Sequence, residues 1–414
     1  MKPSPLAVLR PAAAAARAVA DHLTPPPDPP PPPAHAQNLA DGAVGTALLH
    51  IERAATGTGA WATAHHWLTT IVDGGVLATP DSSLYRGAPA IAYALHLTAT
   101  ATGGRYTGAR HALDRAVATL THRRVDQAMH RITARQLPTL AEYDLISGLT
   151  GIGAHLLRHT PGDDALARVL AYLVRLTEPI RHDGVTRPGW WTFQDPHAAT
   201  SAAFPGGHAN LGLAHGITGP LALLAHAARR GITVDGHLDA IGRICHWLDT
   251  WCQHDHDGQA WWPQWITAQD HRTHRPTQTG PLRPSWCYGT PGIARAQQLA
   301  GLATADTHRR HLAEHALAAC LTDPRQLDHV TDTSLCHGWA GLLLTTWRTA
   351  VDATTPAVAA HLPHLTDRLL HHLSMDDHPA DGLLDGRTGA ALALTAVAHG
   401  TPPTSDWDAC LLLT

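Results

Sequence analysis

No run of about 18 apolar residues occurs among these 414, so no segment reads as a transmembrane helix. Charge is scarce as well. Asp, Glu, Lys and Arg make up 15% of the chain and sum to a formal −4, leaving neither a basic field for nucleic acid nor an acidic tail. The opening stretch "MKPSPLAVLRPAAAAARAVADHL" has prolines at 3, 5 and 11 and arginines inside its apolar part, so it lacks the h-region of a secretory signal. Strand-like alternation is rare. Cysteine is sparse too: the six residues Cys245, Cys252, Cys287, Cys320, Cys336 and Cys410 all fall in the C-terminal half. Without a signal they are expected to be reduced thiols, and the chain is expected to be cytoplasmic.

What is present is apolar content of 44%, ample for a large core. Histidine is abundant, at 33 residues, so no single histidine carries an argument by its type alone. Residues 1–36 read as an Ala-rich helix followed by "PPPDPPPPP", a stiff polyproline spacer, and residues 37–414 as one domain. Within that domain the pattern is helical, rich in Ala and Leu, with prolines at the ends of segments.

A repeat organises it. The segments "LADGAVGTALL", "LYRGAPAIAYAL", "LISGLTGIGAHLL", "LAHGITGPLALLA", "WCYGTPGIARAQQL", "LCHGWAGLLL" and "LDGRTGAALAL" each place a glycine, two residues, a small residue and then an apolar helix. The first glycines are Gly42, Gly87, Gly148, Gly216, Gly289, Gly338 and Gly386, at spacings of 45, 61, 68, 73, 49 and 48 residues. Each interval accommodates one buried helix, a return helix and loops. Stretches such as "LTGIGAHLL" and "WAGLLLTTW" belong inside, and amphipathic ones such as "DALARVLAYLVRL" outside. The expected fold is all-α, an α/α toroid (barrel) of seven inner and seven outer helices. An open solenoid of helical hairpins is the competing architecture.

Aligning the glycines places Cys287 and Cys336 at one register position, two before their glycines, with His215, Tyr288 and His337 at the next. Two cysteines and a histidine brought together from adjacent repeats are a zinc set of the catalytic kind, three protein ligands and one open place, and thiolates select zinc over magnesium or calcium. Cys336 and His337 are adjacent and would diverge by about 100° within a helix, whereas in a pre-helix turn both can face one point. "RICHWLD" is a decoy: Cys245 and His246 are also adjacent, but no glycine turn follows, so they and Cys252 read as residues of an outer helix. Cys320 and Cys410 read as small core residues.

Here the sequence resembles the lanthipeptide cyclases, the lanthionine synthetase C-like proteins. "SWCYGTPG" and "SLCHGWAG" look like that family's two zinc-ligand motifs, "NLGLAHGITG" like its histidine motif and "YDLISGLTGIG" like its aspartate motif, and the likeness runs from about residue 38 to residue 395. The resemblance implies a seven-fold α/α toroid with one zinc per chain on Cys287, Cys336 and His337. It implies Michael-type addition of peptide cysteine to dehydroalanine or dehydrobutyrine, closing lanthionine or methyllanthionine thioether rings. His215, Asp144, Arg283 and Tyr288 stand where the motifs place acid/base and supporting residues. His215 would donate a proton to the enolate carbon, Asp144 would orient it, Arg283 would stabilise the enolate oxygen, and Tyr288 would hydrogen-bond either partner.

Plainer readings stand beside these: Asp144 as a helix cap, Arg283 as a rim residue, Tyr288 as a packing aromatic and His215 as a helix-start histidine. The second repeat lacks its second glycine and carries Arg86 before the first, and an unusual Trp-rich insert precedes "FPGGHANLGLAHG". The Trp-rich "RPGWWTFQDPH" and "QAWWPQWI" read as packing or as a stacking surface for a peptide. The basic stretch "THRRVDQAMHRITAR" reads as a solvated helix face or as a hold for an acidic leader. The expected partners are a dehydrated precursor peptide with its leader, a dehydratase and a peptide exporter, with the protein cytoplasmic and peripheral to a membrane-associated complex. The alternatives are a non-catalytic zinc-thiol protein that binds glutathione or a partner, and an α/α-barrel prenyltransferase subunit, which a Cys-Cys-His set fits poorly.

Overall fold

Helices make up most of the structure, a computed structural model that describes residues 5–195, 202–375 and 380–414. Ahead of the repeats runs α1 (Pro5–His22). The repeats contribute α2 (Ala43–Ala55) and α3 (Trp61–Val72), α4 (Ala88–Thr102) and α5 (Thr107–Thr133), α6 (Leu149–His159) and α7 (Asp164–Leu176). They continue with α8 (Thr218–Arg229) and α9 (His237–Trp251), α10 (Thr290–Thr304) and α11 (Thr307–Cys320), α12 (Trp339–Asp352) and α13 (Leu362–Met375), and α14 (Arg387–His399). Between α7 and α8 lies the hairpin β1 (Ile180–His182) with β2 (Val185–Arg187), turned at Asp183 and Gly184, and β3 (His208–Asn210) pairs antiparallel with β4 (Trp265–Thr267).

The first helix of each pair is the buried one. α12 buries every residue from Trp339 to Thr349, whereas α13 buries only the stripe Leu365, Thr366 and Leu369. A helix apolar all round belongs inside and one with a single stripe belongs outside. Gly42, Gly87, Gly148, Gly289, Gly338 and Gly386 each cap the N-terminus of a buried helix, and in the fourth repeat the helix starts two residues after Gly216. The second glycine of the pattern marks a close approach. A Cβ on Gly341 would stand 2.0 Å from the Leu335 carbonyl oxygen, and one on Gly389 2.1 Å from that of Leu383, in both cases the residue six positions earlier. The pre-helix turn therefore folds back onto the first helical turn, where only hydrogen fits.

Two compact units hold these elements. In the first, Met1–Val117 with Val330–Cys410, α12 packs on α14, α14 on α2 and α2 on α4. Backbone bonds stitch their pre-helix turns in the same order: Cys336 N–H donates to Leu384, Leu384 N–H to Ala40 and Leu39 N–H to Tyr85. The seventh repeat thus lies against the first, a contact that an open solenoid cannot make. α1 packs along α14 and α13. In the second unit, Ala118–His329 with Leu411–Thr414, α8 packs on α6 and on α10, while α7, α9 and α11 cover their partners α6, α8 and α10. Leu145 N–H donates to Ala214 and Leu213 N–H to Cys287, continuing the same stitching through repeats three to five.

Candidate functional site

The second unit carries five of the expected residues, Asp144, His215, Arg283, Cys287 and Tyr288, in and around its pre-helix turns. Asp144 ends a short helical turn at Leu140–Tyr143 and is 2% exposed. Its Oδ1 accepts from the Ser147 and Gly148 amides at 2.6 and 2.8 Å, capping the approach to α6, and its Oδ2 lies 2.7 Å from His215 Nδ1. Helix cap and histidine partner are therefore one residue. Burial lowers the His215 pKa, but the Asp144 hydrogen bond and charge, with the Cys287 thiol nearby, outweigh it, so the ring holds its proton more tightly than an ordinary histidine. Because Nδ1 is engaged by the carboxylate, Nε2 is the ring atom left for chemistry.

The loop that presents His215 is tied to the turn that presents Cys287, since Leu213 N–H donates to the Cys287 carbonyl at 2.9 Å. Cys287 is 6% exposed, and its Sγ lies 3.4 Å from Ser285 Oγ. Gly289, which follows, sits at φ 92°, a left-handed conformation that glycine adopts freely. Tyr288 is half-buried, and its hydroxyl accepts a 2.8 Å hydrogen bond from the side-chain amide of Asn210. Arg283 is half-buried four residues ahead of Cys287, and its guanidinium meets no partner among the described residues.

In the first unit, Cys336 and His337 occupy the turn before α12, with Gly338 at its N-cap. His337 Nε2 stands 3.5 Å from Asp332 and its Nδ1 3.8 Å from Asp385. The turn matches the one at Cys287. Ser334 Oγ accepts from His337 N–H at 3.1 Å, as Ser285 Oγ accepts from Tyr288 N–H at 3.0 Å.

The remaining cysteines are unlike these. Cys245 is buried within α9 and Cys252 follows that helix as its C-cap, one residue outside it, and burial raises both thiols to about 11. Cys410 is raised to about 12 and Cys320 is also pushed well up, both by burial. Such thiols are poor ligands and poor nucleophiles. Of the Trp-rich segments, Trp190, Trp191, Trp261 and Trp262 are buried packing residues, while Pro196 and His197 lie outside the described residues. Asn210, Ser285, Ser334 and Asp332 were not anticipated from sequence. The serines could have been, since both zinc-type motifs carry Ser two residues ahead of Cys.

Comparison with known proteins decides the family. The pattern described as lanthionine synthetase C-like protein matches residues 33–412. The chain belongs to that family. Among its relatives is the nisin biosynthesis protein NisC of Lactococcus lactis subsp. lactis, 27% identical over 208 residues; the match spans 50% of this chain and 48% of that one, about half of each. A solved structure of nisin cyclase superimposes with a TM-score of 0.78 over 92% of both chains at 22% identity, a likeness that shows the fold, an α/α toroid. No helix among the described residues is long and apolar enough to cross a membrane.

Proposed function

We propose that this lanthionine synthetase C-like protein is a lanthipeptide cyclase, joining peptide cysteine thiols to dehydroalanine or dehydrobutyrine by Michael-type addition. The observation that carries the reading is the buried Asp144 holding His215 at 2.7 Å in a loop bonded to the Cys287 backbone. A proton donor is thereby favoured in its charged form and oriented beside a thiol-bearing turn.

Cys287, Cys336 and His337 are the residues that would hold one zinc, and their chemistry suits it: two thiols and one imidazole, the soft and borderline donors that zinc takes. Bound there, zinc would supply acidity to an incoming peptide thiol, which at its ordinary pKa near 8.5 is mostly unreactive in neutral solution. In the addition an S–C bond and a C–H bond form while the thiol S–H bond and the C=C π bond are lost. Electron density moved onto the substrate carbonyl is met by Arg283 and the Tyr288 hydroxyl. His215 delivers the proton to the α-carbon and recovers one from the thiol, with Asp144 steadying its charged form. The partners that follow are a dehydrated precursor with its leader, the dehydratase that makes it and an exporter.

Incubating the purified, zinc-analysed protein with a dehydrated cysteine-containing precursor tests the proposal. Free thiols, counted by alkylation and mass spectrometry, should disappear without mass loss. Thiols persisting at the protein-free rate would favour the non-catalytic zinc-thiol alternative.

A further inference from the structure

The β1–β2 hairpin stands between two depressions of the second unit that the cyclase chemistry leaves unused. One, of about 350 Å³, is lined by Ile132, Leu176 and Ile180 together with Arg131, Arg135, Arg175 and Arg181. These arginines come from separate places: the end of α5 and the turn beyond it, the last turn of α7, and β1. Among the described lining residues Glu178 is the sole carboxylate, so four positive groups against one negative leave the wall at +3.

Two of the four are engaged. Arg131 forks onto Glu142, with contacts of 2.9 and 2.7 Å, and Arg175 lies 3.4 Å from Glu178. Arg135 and Arg181 are exposed and meet no hydrogen-bonding or ionic partner among the described residues. The second depression, about 250 Å³, lies along β2 and is aromatic in character, with Trp190, Trp247 and His271 in its lining. Trp247 meets Trp190 edge-to-face at 5.6 Å and stacks on His271 at 6.0 Å. Pro179 lines both depressions.

We infer that this face docks a peptide segment in which carboxylates flank an aromatic side chain, the carboxylates meeting Arg135 and Arg181 and the ring lying against Trp247 and His271. An unpartnered guanidinium offers a planar pair of donors that fits a carboxylate, and a Trp face offers stacking area. Resting on the function proposed above, the occupant is a part of the precursor remote from its ring-forming residues. Tethering it there would keep the thiols at a raised effective concentration without any contact to the reacting atoms.

The test uses the full-length, zinc-loaded protein and a rhodamine-labelled peptide, Gly-Glu-Trp-Glu-Gly, followed by fluorescence anisotropy. Replacing both Glu by Gln in the peptide, or Trp by Ala, should weaken binding about tenfold, and raising salt should weaken the Glu peptide alone. The double variant Arg135→Glu with Arg181→Glu should also lose about tenfold, and Arg135→Ala with Arg181→Ala about threefold, while cyclisation of a short dehydrated peptide without acidic residues stays unchanged. Equal binding of the Gln peptide, or binding indifferent to both double variants, overturns the inference. Displacement of the probe by millimolar inorganic phosphate would reduce the face to an anion site. Tighter binding of an oligonucleotide of equal charge would assign it to nucleic acid, and either result also overturns the inference. Binding is read without turnover, so its failure leaves the cyclase proposal standing, and failure of cyclisation leaves the binding result standing.

Discussion

The side-chain amide of Asn210 donates to the Tyr288 hydroxyl at 2.8 Å, and the carbonyl oxygen of the same amide accepts from the Gly212 N–H at 2.9 Å. The second bond settles the first: a backbone amide can only donate, so Asn210 must turn its NH₂ toward Tyr288. The tyrosine oxygen is then an acceptor there, and its own proton is directed elsewhere.

Asn210→Asp reverses this polarity at nearly constant volume, because a carboxylate accepts from both neighbours and the Tyr288 O–H must turn to donate to it. Cyclisation should slow by about 10-fold to 100-fold, as for Tyr288→Phe, with zinc content unchanged. The double variant should be no slower than either single one. Additive losses in the rate assay would show that Asn210 acts on something other than Tyr288.

Metal content separates ligands from bystanders. Cys287→Ala, Cys336→Ala and His337→Ala should each lose most of the zinc, since two remaining ligands rarely hold it against competition. Cys245→Ala should keep it, because its thiol, raised to about 11, is packed inside α9. Elemental analysis of the folded variants decides.

Two glycines make a paired stability test. At Gly341 an added Cβ would meet the Leu335 carbonyl oxygen at 2.0 Å, so Gly341→Ala should destabilise by about 1–3 kcal/mol. At Gly242, inside α9, a Cβ would meet nothing within 4 Å, and Gly242→Ala should stabilise by about 0.5–1 kcal/mol. Urea midpoints measure both.

Acid should destabilise the fold earlier than its carboxylates require. Burial, reinforced by nearby arginine charge at His226 and His50, lowers His226 to about 3 and His50 to about 4; burial likewise takes His208 to about 4. Each folded value lies below the unfolded one, near 6.5. The stability these neutral rings contribute is therefore complete above about pH 6.5 and is lost as pH falls from there toward 4, by up to about 1.4 kcal/mol per unit for each ring. His226→Gln, which keeps a donor for the Leu412 carbonyl, should show a shallower fall between pH 7 and 5 in denaturant titrations.

The seven glycine turns were legible because close backbone approach admits one residue type, and that demand leaves a mark in the sequence wherever it recurs. The placing of Cys287, Cys336 and His337 in pre-helix turns followed from the same register. Asn210 was not legible, because its role depends on the pairing of β3 with β4, strands of three residues too short to show alternation. Nor was the docking of α1 on α14, which joins the two ends of the chain through packing alone. In the fourth repeat, the delay of α8 to Thr218 reflects the bond from Ile217 N–H back to Asn210, a loop contact that no local pattern announces.

In the proposed mechanism His215 delivers a proton, and Cys287, Cys336 and His337 have the separate task of holding zinc. His215→Asn, assayed with the dehydrated precursor by thiol alkylation and mass spectrometry and analysed for metal on the same sample, tests it most directly. The variant should keep its full zinc content while cyclisation slows by about 10² to 10⁴. Cyclisation at the unmutated rate, or zinc lost from a folded variant, would contradict it.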